Sequence, residues 1–234
     1  MSGMVRDPVI ELLGCLQLAD SAFPSGLYTL SHGLEGYAQA GRVDASTLAA
    51  LLDGLLRHSV GPADGTASAV AHRGARSGDW DLVAVADRRL HATKLNRELR
   101  TAATRTGRQL VQVAATVIGT EAVERYAAMV AERRVPGCQA VAAGVVYAAA
   151  GVGVERAVAS ELFAYSASFA GAALRLRLAD HVTAQVLLRE AAPVIAEVTE
   201  DAVGRDLADL GGCAPMADVM SGRHERAAAR LFTT

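Results

Sequence analysis

Aromatic residues are scarce, at 4% of 234 residues, so large rings do not dominate the core. Cysteine occurs only three times, as Cys15, Cys138 and Cys213, and no two stand in CxxC spacing. An odd number without that spacing excludes a disulfide framework and a cysteine zinc site, and fits a reducing cytoplasm. Charge of one sign is lacking too: 23 Lys and Arg stand against 25 Asp and Glu, a formal net charge of −2. Nothing global draws the chain to phosphates, so no nucleic-acid partner is expected. Neither GxxxxGK[ST] nor GxGxxG occurs, which argues against nucleotide hydrolysis. There is no GxSxG elbow, and Ser31 and His32 are mere sequence neighbours, so nucleophilic catalysis has no support. No two of His32, His58, His72, His91, His181 and His224 lie three or four residues apart, so no helix face offers a pair of imidazoles. At the N-terminus Arg6, Asp7 and Glu11 interrupt any apolar run that a secretory leader would need. The longest uncharged stretch, 135–154, has the length to cross a bilayer. Its Pro136, Gln139, four glycines and many alanines instead predict a buried, closely packed helix, and no membrane association.

What is abundant is alanine, with 48 residues in a chain that is 51% hydrophobic. Alanine is the best helix former and a poor strand former, so the fold class is all-α. Val9, Leu12, Leu13 and Leu16 form one helical stripe ending near Asp20. Pro24 and Gly26 mark a loop over 21–26, followed by a short helix over 30–40 that Gly41 stops. Leu48, Leu51, Leu52, Leu55 and Leu56 form a second stripe, which Gly61–Pro62 is expected to break. Asp79 caps a helix reaching Leu90. Leu110, Val113 and Val117 mark the next helix, then Val123, Tyr126 and Val130, with Glu121 and Arg125 paired at i, i+4. Pro136 suits the first turn of the uncharged helix. Further helices cover 155–174 and 182–198, and Pro193 is expected to kink or divide the last. Leu174–Leu178 alternates like a strand but has no partner, and reads as a helix end. These elements predict a single-domain helical bundle of about eight to ten helices over residues 1–210. Residues 211–234 form a tail that orders on a partner.

Few residue groups could carry chemistry. His32 and Glu35, at i, i+3, could share a metal, but no second pair completes a site. Arg97, Arg100, Arg105 and Arg108 read as a solvated face, with docking of an acidic protein as the functional alternative. The tail RHERAAARLF ends in two large apolar residues, which must fold back or meet a partner.

The run LQLADSAFPSGLYTLSHGLE, from Leu16 to Glu35, resembles the N-terminal signature of the UreF family of urease accessory proteins. Asp20, Ser21, Phe23, Pro24, Gly26, Ser31, His32, Gly33, Leu34 and Glu35 carry the likeness. Arg97, Glu98, Gly107 and Leu110 resemble the family's central helix. Pro215, Asp218, Met220, His224, Glu225, Arg230, Leu231 and Phe232 resemble its tail. The chain departs from the pattern at Leu27 and at Ala179–His181. The resemblance implies a non-enzymatic, cytoplasmic adaptor of a nickel metallochaperone complex. It would bridge UreD (also called UreH) and the GTPase UreG for nickel insertion into apo-urease, and would dimerise. It holds no cofactor stably; nickel is handled by the complex. The partner-binding residues it implies are His224, Glu225, Arg230, Leu231 and Phe232 in the tail, and Phe23, Pro24, Gly26, Ser31, His32 and Glu35 near the start. Two alternatives stand beside it: a regulator of UreG GTP hydrolysis acting through Arg97 or Arg100, and a helical nickel-binding protein using His32 and Glu35, with His224 as a further candidate ligand.

Overall fold

A computed structural model describes residues 7–234; of the three charged residues read against a leader, Arg6 lies outside the described residues. In chain order the α-helices are α1 (Pro8–Ala19), α2 (Leu34–Gln39), α3 (Leu48–Leu55), α4 (Thr66–Ser77), α5 (Trp80–Thr93), α6 (Arg97–Val117), α7 (Glu121–Ala131), α8 (Gln139–Ala149), α9 (Val154–Arg175), α10 (His181–Gly204) and α11 (Pro215–His224). A π-helical segment, Leu56–Gly65, joins α3 to α4. Among the described residues this makes ten helical rods and no strand.

Alanine and glycine explain how so many rods pack together. α8 is buried on every side through Ala148, and its most extensive neighbour is α4, itself alanine-rich. A Cβ on Gly144 would collide with the Ser68 carbonyl oxygen, so the two backbones touch directly. Gly107 of α6 likewise meets the backbone of Gly137 and Cys138. Two apolar clusters result. One gathers α5–α8 around Tyr126, Val111 and Val145; the other gathers α2, α3, α9, α10 and α11 around Leu34, Phe169 and Leu162. α4 and α9 serve both: Ala67 and Ala157 face the first cluster, Ala69 and Val158 the second. α9 is long and apolar enough to cross a membrane by length and composition, and 56% of its most apolar window is buried in the fold.

Several helix boundaries differ from the sequence reading, each for a local reason. Gly61–Pro62 does not break the chain. The helix widens into the π segment and carries Pro62 within it, the common way to absorb an extra residue or a missing donor. His58 O, on the same segment, accepts from Cys213 N at 2.7 Å. Pro62 O accepts from Gly211 N at 3.1 Å. The irregular turn therefore ties down 211–213, and Gly212 sits so close to His58 and Ser59 that a side chain would not fit. α2 starts at Leu34 and not near Leu30, because His32 and Gly33 adopt left-handed φ values of 55° and 85°. α8 starts at Gln139, after Pro136, because the buried Asp87 carboxylate captures the N–H groups of Gly137 and Cys138 at 2.8 and 2.9 Å. The Tyr126 hydroxyl donates to the same carboxylate at 2.8 Å. Pro193 does not divide α10. Arg125 lies over the Trp80 ring at 5.1 Å, and no ion pair joins it to Glu121 in the structure. The 174–178 alternation is a helix end, as read: Arg177 has φ 58° just after α9. Leu27 starts a 3-10 turn after left-handed Gly26, so the missing family glycine is not required at its position. At the other departure, Asp180 caps α10 by accepting from Thr183 N at 2.7 Å.

The largest departure from expectation is α1. Its helix forms, but Val9, Ile10, Leu12, Leu13 and Leu16 stand exposed, while Cys15 turns inward. Glu11 pins the helix to α9 by accepting from Gly153 N at 2.7 Å and from Arg156 Nη1 at 2.6 Å.

The close approaches make a clean stability test. Gly144→Ala is expected to destabilise by about 1–3 kcal/mol through overpacking, despite alanine's better helix propensity. Gly54→Ala, in α3 with nothing near its would-be Cβ, is expected to stabilise by about 0.5–1 kcal/mol. Thermal unfolding of the two variants checks both signs.

Candidate partner-binding site

Two segments distant in sequence meet at one end of the molecule. Residues 211–234, read from the sequence as a tail that orders on a partner, lie packed on the body in this structure, with α11 in their middle. α11 docks on α2 so closely that Gly36 has no room for a side chain beside Met220. At its last turn His224 is fully buried between two carboxylates: Nε2 lies 2.8 Å from Glu35 Oε2, and Nδ1 lies 2.9 Å from Glu98 Oε2. Arg230 Nη1 donates to Glu98 Oε1 at 2.9 Å. Glu35, His224, Glu98 and Arg230 thus form one continuous hydrogen-bonded chain, the condition under which buried polar groups are tolerable.

Glu35 does more than pair with His224. Its Oε1 accepts from Leu231 N at 2.7 Å and its Oε2 from Phe232 N at 2.9 Å. Burial alone would push its carboxyl up. The N–H of Leu231, the His224 imidazole and the N–H of Phe232 outweigh that and hold it below the ordinary glutamate value. Its contribution is therefore present above that ordinary value and fades as pH falls through the lower folded one. Phe232 is 5% exposed, its ring in the second apolar cluster and under the Arg175 guanidinium at 4.3 Å. Burying it contributes about 1.5–3 kcal/mol. Leu231, next to it, is 63% exposed and contributes little until something covers it. Thr29 O accepts from Thr233 N at 3.2 Å, and Ser31 N donates to Thr234 O at 2.9 Å. The Ser31 hydroxyl also donates to Thr234 O and accepts from Glu35 N. It thus helps to cap α2 and binds the tail as well.

The other sequence candidates fall around this seat. Gly26 opens the turn that presents Thr29, and Phe23 is buried behind exposed Pro24. Glu225 Oε2 accepts from Glu98 N at 3.5 Å, and its Oε1 lies 3.5 Å from exposed Arg97. His32 and Glu35 do not form the pair considered from the sequence. The His32 ring packs on Tyr165 with centroids 4.2 Å apart, and its buried Nε2 has no hydrogen-bond partner. Burial, with Lys94 and Arg175 nearby, lowers its pKa to about 3, so it is neutral. Among the described residues no three His, Cys, Asp or Glu side chains are placed to hold a metal. The basic stretch is mostly spent internally. Arg100 donates to Lys94 O and Leu95 O, Arg108 to Pro136 O, and Arg105 to Thr29 Oγ1 and Thr233 Oγ1; Arg97 is exposed and makes only the long pair to Glu225.

Behind the seat lies a cavity of about 410 Å³ bounded by Leu27, Leu30, His32, Gln139, Glu161 and Tyr165. Lys94 and Asp64 form an ion pair at 2.6 Å on its wall. Burial, aided by Asp64, raises the Glu161 pKa to about 8, so its carboxyl is protonated at neutral pH.

Sequence reasoning missed the acceptor role of Glu98, the ring contact of Arg175 and the contributions of Thr29 and Gln39. Glu98 follows an Asn96 cap and reads as an ordinary first-turn acid; only its burial beside His224, 126 positions away, reveals it.

These features define an all-α protein that carries an extended segment of its own chain on a carboxylate-lined seat, with an apolar helix face left open elsewhere. The UreF family profile matches residues 43–192. The urease accessory protein UreF of Trichodesmium erythraeum is 31% identical over 230 residues, covering 98% of this chain and 99% of the relative. Urease accessory protein UreF 2 of Brucella canis is 31% identical over 222 residues, covering 94% and 91%. The UreF of Yersinia pestis is 30% identical over 224 residues, covering 95% and 98%. The chain belongs to the UreF family of urease accessory proteins.

The protonated Glu161 has a consequence in solution. Its folded pKa is raised, so ionisation in the unfolded chain costs stability as pH rises from the ordinary glutamate range towards 8. Glu161→Gln is expected to raise the melting temperature, and by more at pH 8 than at pH 5. Melting curves of both proteins at the two pH values check this.

Proposed function

We propose that this chain is a non-catalytic adaptor in urease maturation, working in the cytoplasm. It bridges UreD (UreH) and the GTPase UreG, while nickel passes as cargo through the assembly to apo-urease. Family membership supports the role in urease maturation. The observation that carries the adaptor reading is the exposed row of Val9, Ile10, Leu12, Leu13 and Leu16 on α1. Exposed apolar rows of this kind mark protein contacts. The row is self-complementary in character and suits the homodimer that the resemblance implies, with α1 packed on the α1 of a second copy.

The tail supplies the second contact, to UreD. Phe232 anchors it, Leu231 presents apolar surface, and covering Leu231 adds a further ~1.5–3 kcal/mol to the docked state. Of the two arginines considered for an effect on GTP hydrolysis, Arg100 is engaged with backbone carbonyls and Arg97 is exposed. A direct action on the GTPase would therefore fall to Arg97.

Because α11 contributes Met220 and His224 to the interior, a cut after Gly212 would damage the fold as well as the contact. Point changes at exposed positions separate the two. Leu231→Asp is expected to keep the helical spectrum and melting temperature and to lower recovery of co-expressed UreD by about tenfold or more. Unchanged recovery would remove the tail contact. Leu12→Asp with Leu16→Asp is expected to convert a dimer to a monomer in sedimentation, and a dimer that survives both changes would remove the α1 interface.

A further inference from the structure

The seat of the tail is built like a peptide-recognition groove. Every group that receives residues 229–234 belongs to the body. Gln39 Nε2 donates to Ala229 O at 3.1 Å, and Glu98 receives the Arg230 guanidinium. The Glu35 carboxylate clamps two consecutive N–H groups, and Thr29 O and Ser31 N continue the main-chain pairing to Thr233 and Thr234. These contacts hold the backbone itself, which bends at Leu231 and Phe232 so that two consecutive N–H groups face one carboxylate. Three positions are read by side chain: an arginine against Glu98, an aromatic between Arg175 and the second apolar cluster, and the Thr233 hydroxyl, which donates to Thr29 O and accepts from Arg105. The residue between the first two, Leu231, points outward and is unconstrained.

Two features make the tail displaceable. It leaves α11 through Arg226–Ala229, where no regular helix continues and Ala228 and Ala229 are exposed. Buried Met220 and the two His224 bonds remain to hold α11 when the segment leaves, although Glu35 and Glu98 serve both. A second cavity of about 370 Å³, lined by Arg97, Thr101, Arg105, Arg230 and Phe232 among others, lies alongside the seated segment and leaves room for a longer chain.

We propose that residues 229–234 fill a peptide-binding groove in cis, and that the groove also accepts a segment of the same chemistry and the same bent backbone from a partner protein. That segment carries an arginine two residues ahead of an aromatic and presents free main-chain N–H groups. Its entry frees the chain's own Leu231 and Phe232. The groove's selectivity is set by its own residues, whichever protein the released tail meets.

A labelled peptide with the sequence of Ala229–Thr234 tests this on the full-length chain by fluorescence anisotropy. Phe232→Ala weakens the cis ligand, so this variant is expected to bind the peptide about tenfold or more tighter than the unaltered chain. Replacing phenylalanine by alanine in the peptide, or adding Glu35→Gln to the variant, is expected to cost about tenfold or more. Equal affinity for the unaltered chain and the variant would overturn the proposal. So would no binding by a variant that keeps the parent's circular dichroism and melting temperature. Should the variant not fold, amide exchange in the unaltered chain decides. Leu231 and Phe232 amides are expected to exchange by local opening about a hundredfold faster than the α6 amides of Leu110 and Val111. Exchange of all four only by global unfolding would show that the tail cannot be displaced.

Discussion

The arrangement at one end of this molecule depends on a buried imidazole between two carboxylates. His224 brings α11 against α2 and α6 only because Glu35 and Glu98 wait on either side of it, and Arg230 completes the set. Remove either carboxylate and a fully buried ring nitrogen loses its only partner, a loss of about 1–3 kcal/mol. Remove His224 and two carboxylates face each other across the gap. The network thus converts three separate helices and a loose segment into one surface.

Glu35 is the joint between the two ends of the chain. It lies in the run that most resembles the UreF family near the start, and it binds the run that most resembles the family near the end. Read apart, these two stretches look like a turn with a helix cap and a charged tail. In the fold they are one site: Ser31, Glu35 and Thr29 are the seat, and Arg230, Leu231 and Phe232 are the occupant. The same economy appears in the π segment, where the His58 and Pro62 carbonyls hold the stretch that leads into α11.

Much of the fold was legible because helical periodicity is a local signal. The stripes of α3, α6 and α7, the Asp79 cap and the buried α8 follow from spacing and from glycine and alanine content. The π segment was not legible, because Gly–Pro ordinarily ends a helix and only the packing of Gly61 against α10 shows why it does not here. The late start of α2 was hidden as well, since nothing local marks His32 as left-handed. For the site, the tail and the Ser31–Glu35 run were visible as separate candidates, but their union was not. Ion pairs 126 and 189 positions apart leave no trace in spacing. The exposure of α1 could not be read either, because an apolar stripe looks the same whether it meets the core or a partner.

A double-mutant cycle between Glu35 and His224, measured by chemical unfolding, tests the central claim most directly. The account predicts that Glu35→Gln and His224→Gln together cost less than the sum of the two, with a coupling of about 1.5–3 kcal/mol. Additive losses, with coupling near zero, would contradict it, because the carboxylate and the imidazole would then not be holding each other in place.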